Sequence, residues 1–134
     1  MIVAFDVGKS TGVCVERDGR YLCRTFHCET NLDLFRIRAF AMSMVYKYQA
    51  LIILEDFRVG GGEYLNGDDL IPVQIIGAIR SGVDEDNVVM QTPAQAKFFY
   101  DDKKMEAYIG VWHNNHEKDA LRHILFYQTK GGLI

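Results

Sequence analysis

Two acids stand where apolar strands end. Asp6 closes the run IVAFD and Glu55 closes LIILE. A carboxylate in such a strand is unfavourable unless it pairs, reaches water or binds a cation. If the two strands are neighbours, roughly 4.8 Å apart, both acids at matching heights can share one cation. Either acid alone reads best as a strand-end carboxylate reaching solvent; two at equivalent ends point to a hard-metal site. Further donors lie in HNNHEKDALRH, where His116, Asp119 and His123 fall within an arc of about 60° on a helix. Asp119 also suits a first-turn acid favoured by the helix dipole. His123 reads more readily as a partly buried core histidine than as a ligand, and His113 as a loop residue. No HExxH is present, which removes that route to a zinc hydrolase.

Gly8-Lys9-Ser10 resembles the end of a phosphate-binding P-loop, but the glycine that should open such a loop is Val3, inside a strand. After Ser10 the pattern is again strand-like, where a P-loop needs a helix. No nucleotide cofactor is expected. Gly8 and Gly12 read as the residues that allow a tight turn.

The chain of 134 residues is long enough for one domain, taken as 1–134, and its 49% apolar and 25% charged residues are those of an ordinary globular protein. Its 18 acids against 15 Lys and Arg give a net charge of −3, which by itself argues against wrapping nucleic acid by bulk electrostatics. Three acids committed to a cation would balance the two counts, so charge discriminates weakly. No apolar run could span a membrane and no signal peptide is visible, so a cytoplasmic location is expected. Cys14, Cys23 and Cys28 lack a CxxC spacing and read as reduced thiols.

These residues need a scaffold. IVAFDV reads as a strand buried on both faces. GVCVERDGRYLCRTFHC reads as two strands joined at Asp18-Gly19. Thr30 with Asp33 caps a long helix carrying two apolar stripes: Leu32, Phe35, Ala39, Met42 and Tyr46, and Leu34, Ile37, Ala41, Met44 and Tyr48. A surface helix needs one such stripe, so the second is either deeply buried or meets a partner subunit. ALIILEDF is another buried strand, and the glycine-rich RVGGGEYLNGDD a surface loop. DLIPVQIIGAIRSG suits a helix with Asp68 or Asp69 near its start, Pro72 in its first turn and Gly82 beyond its end. NVVMQ is a short strand, Thr92-Pro93 opens a helix, and Asn114 or Asn115 caps the last one. A hairpin on one side of the first strand and helix-linked parallel strands on the other give an α/β fold. Its sheet is mixed, five-stranded, ordered 3-2-1-4-5 and flanked by helices.

FDVGKSTG, then ILEDF, then HEKDALRH, each in its own structural context, resembles the RuvC family of Holliday-junction resolvases in the ribonuclease H-like superfamily. The resemblance spans nearly the whole chain, which is somewhat short for the family after Lys97. It implies Asp6, Glu55, His116 and Asp119 as metal ligands; the family often has Asp where His116 stands. It implies two Mg²⁺ or Mn²⁺ ions per active site, with Asp6 bridging both and hydrolysis leaving a 5′-phosphate and a 3′-hydroxyl. QTPAQAK is similar to a family segment whose lysine, here Lys97, approaches DNA near the site. A second lysine would be Lys103 or Lys104, and Lys9 lies beside Asp6. The loop from Arg58 to Asp69 is where the family places residues that enter the junction. Tyr64 is the more plausible stacking residue there, and Phe57 the better core residue. The implied partners are a four-way DNA junction and a second copy of the chain. Related readings are a nuclease of flaps, forks or RNA, and a non-catalytic junction binder on the same scaffold. An actin-like nucleotide fold would need two such domains.

Overall fold

The computed structural model describes residues 1–56 and 67–131. Five strands form one sheet in the order β3-β2-β1-β4-β5. They are β1 (Ile2–Asp6), β2 (Ser10–Arg17), β3 (Arg20–His27), β4 (Leu51–Glu55) and β5 (Val88–Gln91). β1 pairs antiparallel with β2 and parallel with β4, and β4 pairs parallel with β5. The helices are α1 (Asn31–Tyr48), α2 (Gly67–Gly82), α3 (Pro93–Phe99), α4 (Asp102–Met105) and α5 (Asn115–Phe126). The expected order and mixed sheet are therefore present.

Local chemistry explains the joints. Asp18 (φ 53°) and Gly19 (φ 76°) both take positive φ, the pairing that turns β2 tightly into β3. Thr30 caps α1 through Asp33 N–H at 3.1 Å, and the Asp33 carboxylate accepts from Thr30 N–H at 3.0 Å. Proline opens α3 at Pro93, and the Asn114 side chain caps α5 by accepting from Glu117 N–H at 2.9 Å. In α2 the register differs from the sequence reading: Pro72 sits past the first turn and Gly82 is the last helical residue. Gly82 is there because α1 crosses closely; a Cβ on it would stand 2.8 Å from Met42 Cγ.

Strand alternation divides the core between two faces. Val3, Phe5, Val13, Ile52 and Leu54 pack on one side with Ile37, Ala41, Ile75 and Ile79 of α1 and α2. Ile2, Ala4, Cys14, Cys23 and Ile53 pack on the other with Met105, Leu121 and Ile124 of α4 and α5. The three cysteines are buried and unbridged, with Cys28 on the first face and the other two on the second. The two stripes of α1 separate. Ile37 and Ala41 of the second stripe face the core, while Leu32, Phe35 and Tyr46 of the first are 57%, 64% and 72% exposed. Burial of both stripes is thus overturned: most of the first faces solvent, although its Met42 packs on the core. Among the described residues no helix is long and apolar enough to cross a membrane.

Candidate active site

Parallel pairing runs Phe5 against Leu54, so the next residues, Asp6 and Glu55, end neighbouring strands at the same height. Gln91, level with Glu55 on β5, extends the row. Across these strand ends lies α5, whose residues 116, 119 and 123 share a face.

The helix reaches the sheet because of Gly12, which is opposite Asp6 in the β1–β2 ladder. A Cβ at Gly12 would run into the His116 carbonyl and stand 2.6 Å from the Glu117 amide nitrogen. Gly12 is therefore a contact glycine rather than the turn residue the sequence suggested. The turn itself is tied by Thr11, whose hydroxyl accepts from Gly8 N–H at 3.2 Å and donates to Gly8 O at 2.8 Å. Gly8 has no positive φ, so the turn does not depend on it. Ser10 opens a strand, which disposes of the P-loop.

His116 Nδ1 lies 3.0 Å from Asp6 Oδ2. Burial pushes the Asp6 carboxyl up to about 6, the Glu55 charge pushes the same way, the His116 hydrogen bond opposes both, and Asp119 adds to the rise. Three acids thus feel one another at one spot. Glu55 Oε2 lies 3.2 Å from His123 Nε2, and His123 Nδ1 lies 2.8 Å from Gln91 Oε1. His123 is buried, as the sequence suggested, but its ring is held by polar groups of the strand ends.

Asp119 lies beyond the first turn of α5, where Glu117 stands instead. Arg122, itself buried, contacts Asp119 at 3.5 Å and Asp102 at 2.6 Å. A groove of about 270 Å³ is lined by Lys97, Asp102, Asn115, Lys118, Asp119 and Arg122. Lys97 and Asp119 thus line the same groove. Lys103 and Lys104 are exposed on α4, with Lys104 Nζ donating to Phe99 O at 2.9 Å, and Lys9 is exposed in the turn after Asp6. Phe57, Arg58 and Tyr64 lie outside the described residues.

Glu117 anchors the start of α5 to β3, a role that helical spacing could not reveal. Its carboxylate accepts from Thr25 Oγ1 at 2.6 Å and from Asn114 Nδ2 at 3.2 Å, and lies 3.0 Å from His113 Nδ1. Burial opposes its ionisation, but hydrogen bonds from Thr25 and His113 prevail and hold it below the usual glutamate range.

As placed, no three His, Cys, Asp or Glu side chains among the described residues converge closely enough to hold a metal ion. The donor chemistry nevertheless fits one. Asp6, Glu55 and Asp119 form an oxygen-rich cluster whose mutual repulsion a hard divalent cation would relieve.

A mixed sheet in this order, with helices on both faces, is the ribonuclease H-like fold in its RuvC-like form. The chain is similar to Thermus thermophilus RuvC in complex with Holliday junction substrate, at 17% identity and a TM-score of 0.70, over 97% of this chain and 95% of that one. It is also similar to a structure described as Thermus thermophilus RuvC, at 18% identity and a TM-score of 0.60, covering 97% and 96%. No protein-family model matches the sequence, and no curated protein matches it significantly.

Proposed function

We propose that the chain is a metal-dependent, structure-selective DNA endonuclease that resolves four-way junctions as a homodimer. The observation that carries this reading is the juxtaposition of Asp6 and Glu55 at adjacent strand ends beneath the helix bearing His116 and Asp119. The fold is shared with a protein solved on a Holliday junction, which supports the choice of substrate.

Asp6, Glu55, His116 and Asp119 would hold two Mg²⁺ or Mn²⁺ ions, with Asp6 common to both. When bound, such ions supply a hydroxide nucleophile at neutral pH and stabilise the departing oxygen. The chain's own groups do the rest. Asp6 must be ionised to ligate, and above about pH 6 it is largely so even before a cation favours it further. Lys97, lining the groove beside Asp119, neutralises phosphate charge next to the scissile bond. Lys9 and either Lys103 or Lys104 extend the cationic path, and Arg58 and Tyr64 belong to the segment assigned to the junction centre. In-line displacement would leave a 5′-phosphate and a 3′-hydroxyl. Two copies present two sites, as cutting two opposed strands requires.

The test is cleavage of a four-way junction with Mg²⁺ by the wild type and Asp6→Asn, beside flap, fork, duplex and RNA substrates. The wild type should cut the junction preferentially, and Asp6→Asn should lose at least about 10³-fold in rate, or roughly 4 kcal/mol in the barrier. Binding without cutting by the wild type would make the protein a junction binder. Equal cutting by both would overturn the site.

A further inference from the structure

Each acid of the strand row is met by a histidine of the same helix: His116 reaches Asp6, and His123 reaches Glu55. The two histidines differ in setting. The His116 side chain is 48% exposed, whereas that of His123 is 2% exposed and both its ring nitrogens are engaged. A side chain so enclosed cannot follow a substrate or exchange partners freely. It can fix something else.

We propose that His123 is a positioning residue that holds the Glu55 carboxylate in its ligating orientation, with Gln91 locking the imidazole from behind. This rests on Glu55 serving as a metal ligand, the reading given above. The proton count supports it. A half-turn of the Gln91 amide presents NH₂ to Nδ1 and leaves a neutral ring with its one proton on Nε2. With the amide oxygen facing Nδ1, Nδ1–H donates to Gln91, and the contact to Glu55 needs one proton, carried by Nε2 or by the carboxyl. In each arrangement a single hydrogen bond ties Nε2 to one Glu55 oxygen. A carboxylate anchored through one oxygen presents the other to a cation, with less freedom to lose on binding. Partners of this kind change metal affinity by roughly 10- to 100-fold when removed.

The geometry has an architectural side. Glu55 and Gln91 are in register on β4 and β5, and His123 spans the pair from α5. His116 and Asp119 precede His123 by two turns and one turn of the same helix, so the bond to Glu55 also sets the height of those two donors over the sheet.

The experiment titrates Mn²⁺ into the DNA-free protein by calorimetry for the wild type, His123→Leu, His123→Gln and Glu55→Gln. His123→Leu should weaken Mn²⁺ binding about 10-fold or more at an intact fold, while His123→Gln, which keeps a donor amide, should recover most of the loss. The double variant His123→Leu with Glu55→Gln should bind no more weakly than Glu55→Gln alone. A metal-free readout accompanies these: in protein with ¹⁵N-labelled histidine, Glu55→Gln should move the His123 Nε2 resonance. Wild-type affinity in His123→Leu beside weakened binding in Glu55→Gln would overturn the positioning role and leave the proposed function standing. Absence of Mn²⁺ binding by the wild type would overturn both. If His123→Leu does not fold, an unmoved Nε2 resonance or loss of affinity in His123→Gln overturns the proposal.

Discussion

Asp6 is the residue at which stability and activity pull apart. Its carboxyl is raised by burial and by the Glu55 and Asp119 charges, so the folded state holds its proton more tightly than the unfolded chain. The sign follows: the fold is relieved of this charge below about pH 4, and the penalty grows as pH rises to about 6 and persists above it. Asp6→Asn should therefore stabilise the metal-free protein at pH 7.5 by on the order of 2 kcal/mol while abolishing cutting. Thermal melts in chelator at pH 7.5 and below pH 4 check this; a lower melting temperature for the variant at pH 7.5 would rule it out. Glu117 behaves in the opposite sense. Its lowered pKa contributes stability above the usual glutamate value that is lost as pH falls. Glu117→Gln should cost roughly 1–3 kcal/mol at pH 7 and less in acid, measurable by urea titration at the two pH values. Asp6 and Glu55 were legible in the sequence because a charge ending an apolar run is conspicuous in one dimension. Glu117 was not, because its partner Thr25 is brought to it only by the docking of α5 on β3.

Between elements, the decisive contact is α5 on β2. The sequence reading placed Gly12 in the turn because glycine punctuates turns more often than it marks a close approach. Only the packed structure shows that the missing side chain admits the His116 backbone. Gly12→Ala should push the start of α5 off the sheet, costing about 1–3 kcal/mol, and weaken Mn²⁺ binding through His116. Gly8→Ala, by contrast, meets nothing closer than Ser10 O at 3.6 Å and should leave both properties close to wild type. Melting and Mn²⁺ calorimetry on this pair distinguish a contact glycine from a turn glycine; equal effects would refute the assignment. The strands, the hairpin and the caps of α1 and α5 were readable because they follow local rules of alternation and capping. Interhelical and helix–sheet distances obey no such local rule, and it is these that make His123 a neighbour of Glu55.

For the whole molecule, the solvent-facing stripe of α1 bears on assembly. Leu32, Phe35 and Tyr46 are all more than half exposed and lie on one face of an 18-residue helix, outside both core clusters. If the chain pairs with itself, this is the apolar surface that α1 offers for the purpose. Phe35→Glu should then shift a wild-type dimer to monomer in sedimentation without lowering the melting temperature of the monomer. A wild type that sediments as a monomer with and without junction DNA would remove the dimer. The same architecture also imposes an order of assembly in time. Asp6 is synthesised more than a hundred residues before the helix that covers it. Until that helix docks, a growing chain has its two strand carboxylates but neither histidine nor Asp119. On the proposed function, the donor set is therefore complete only in one step, with the docking of a single helix.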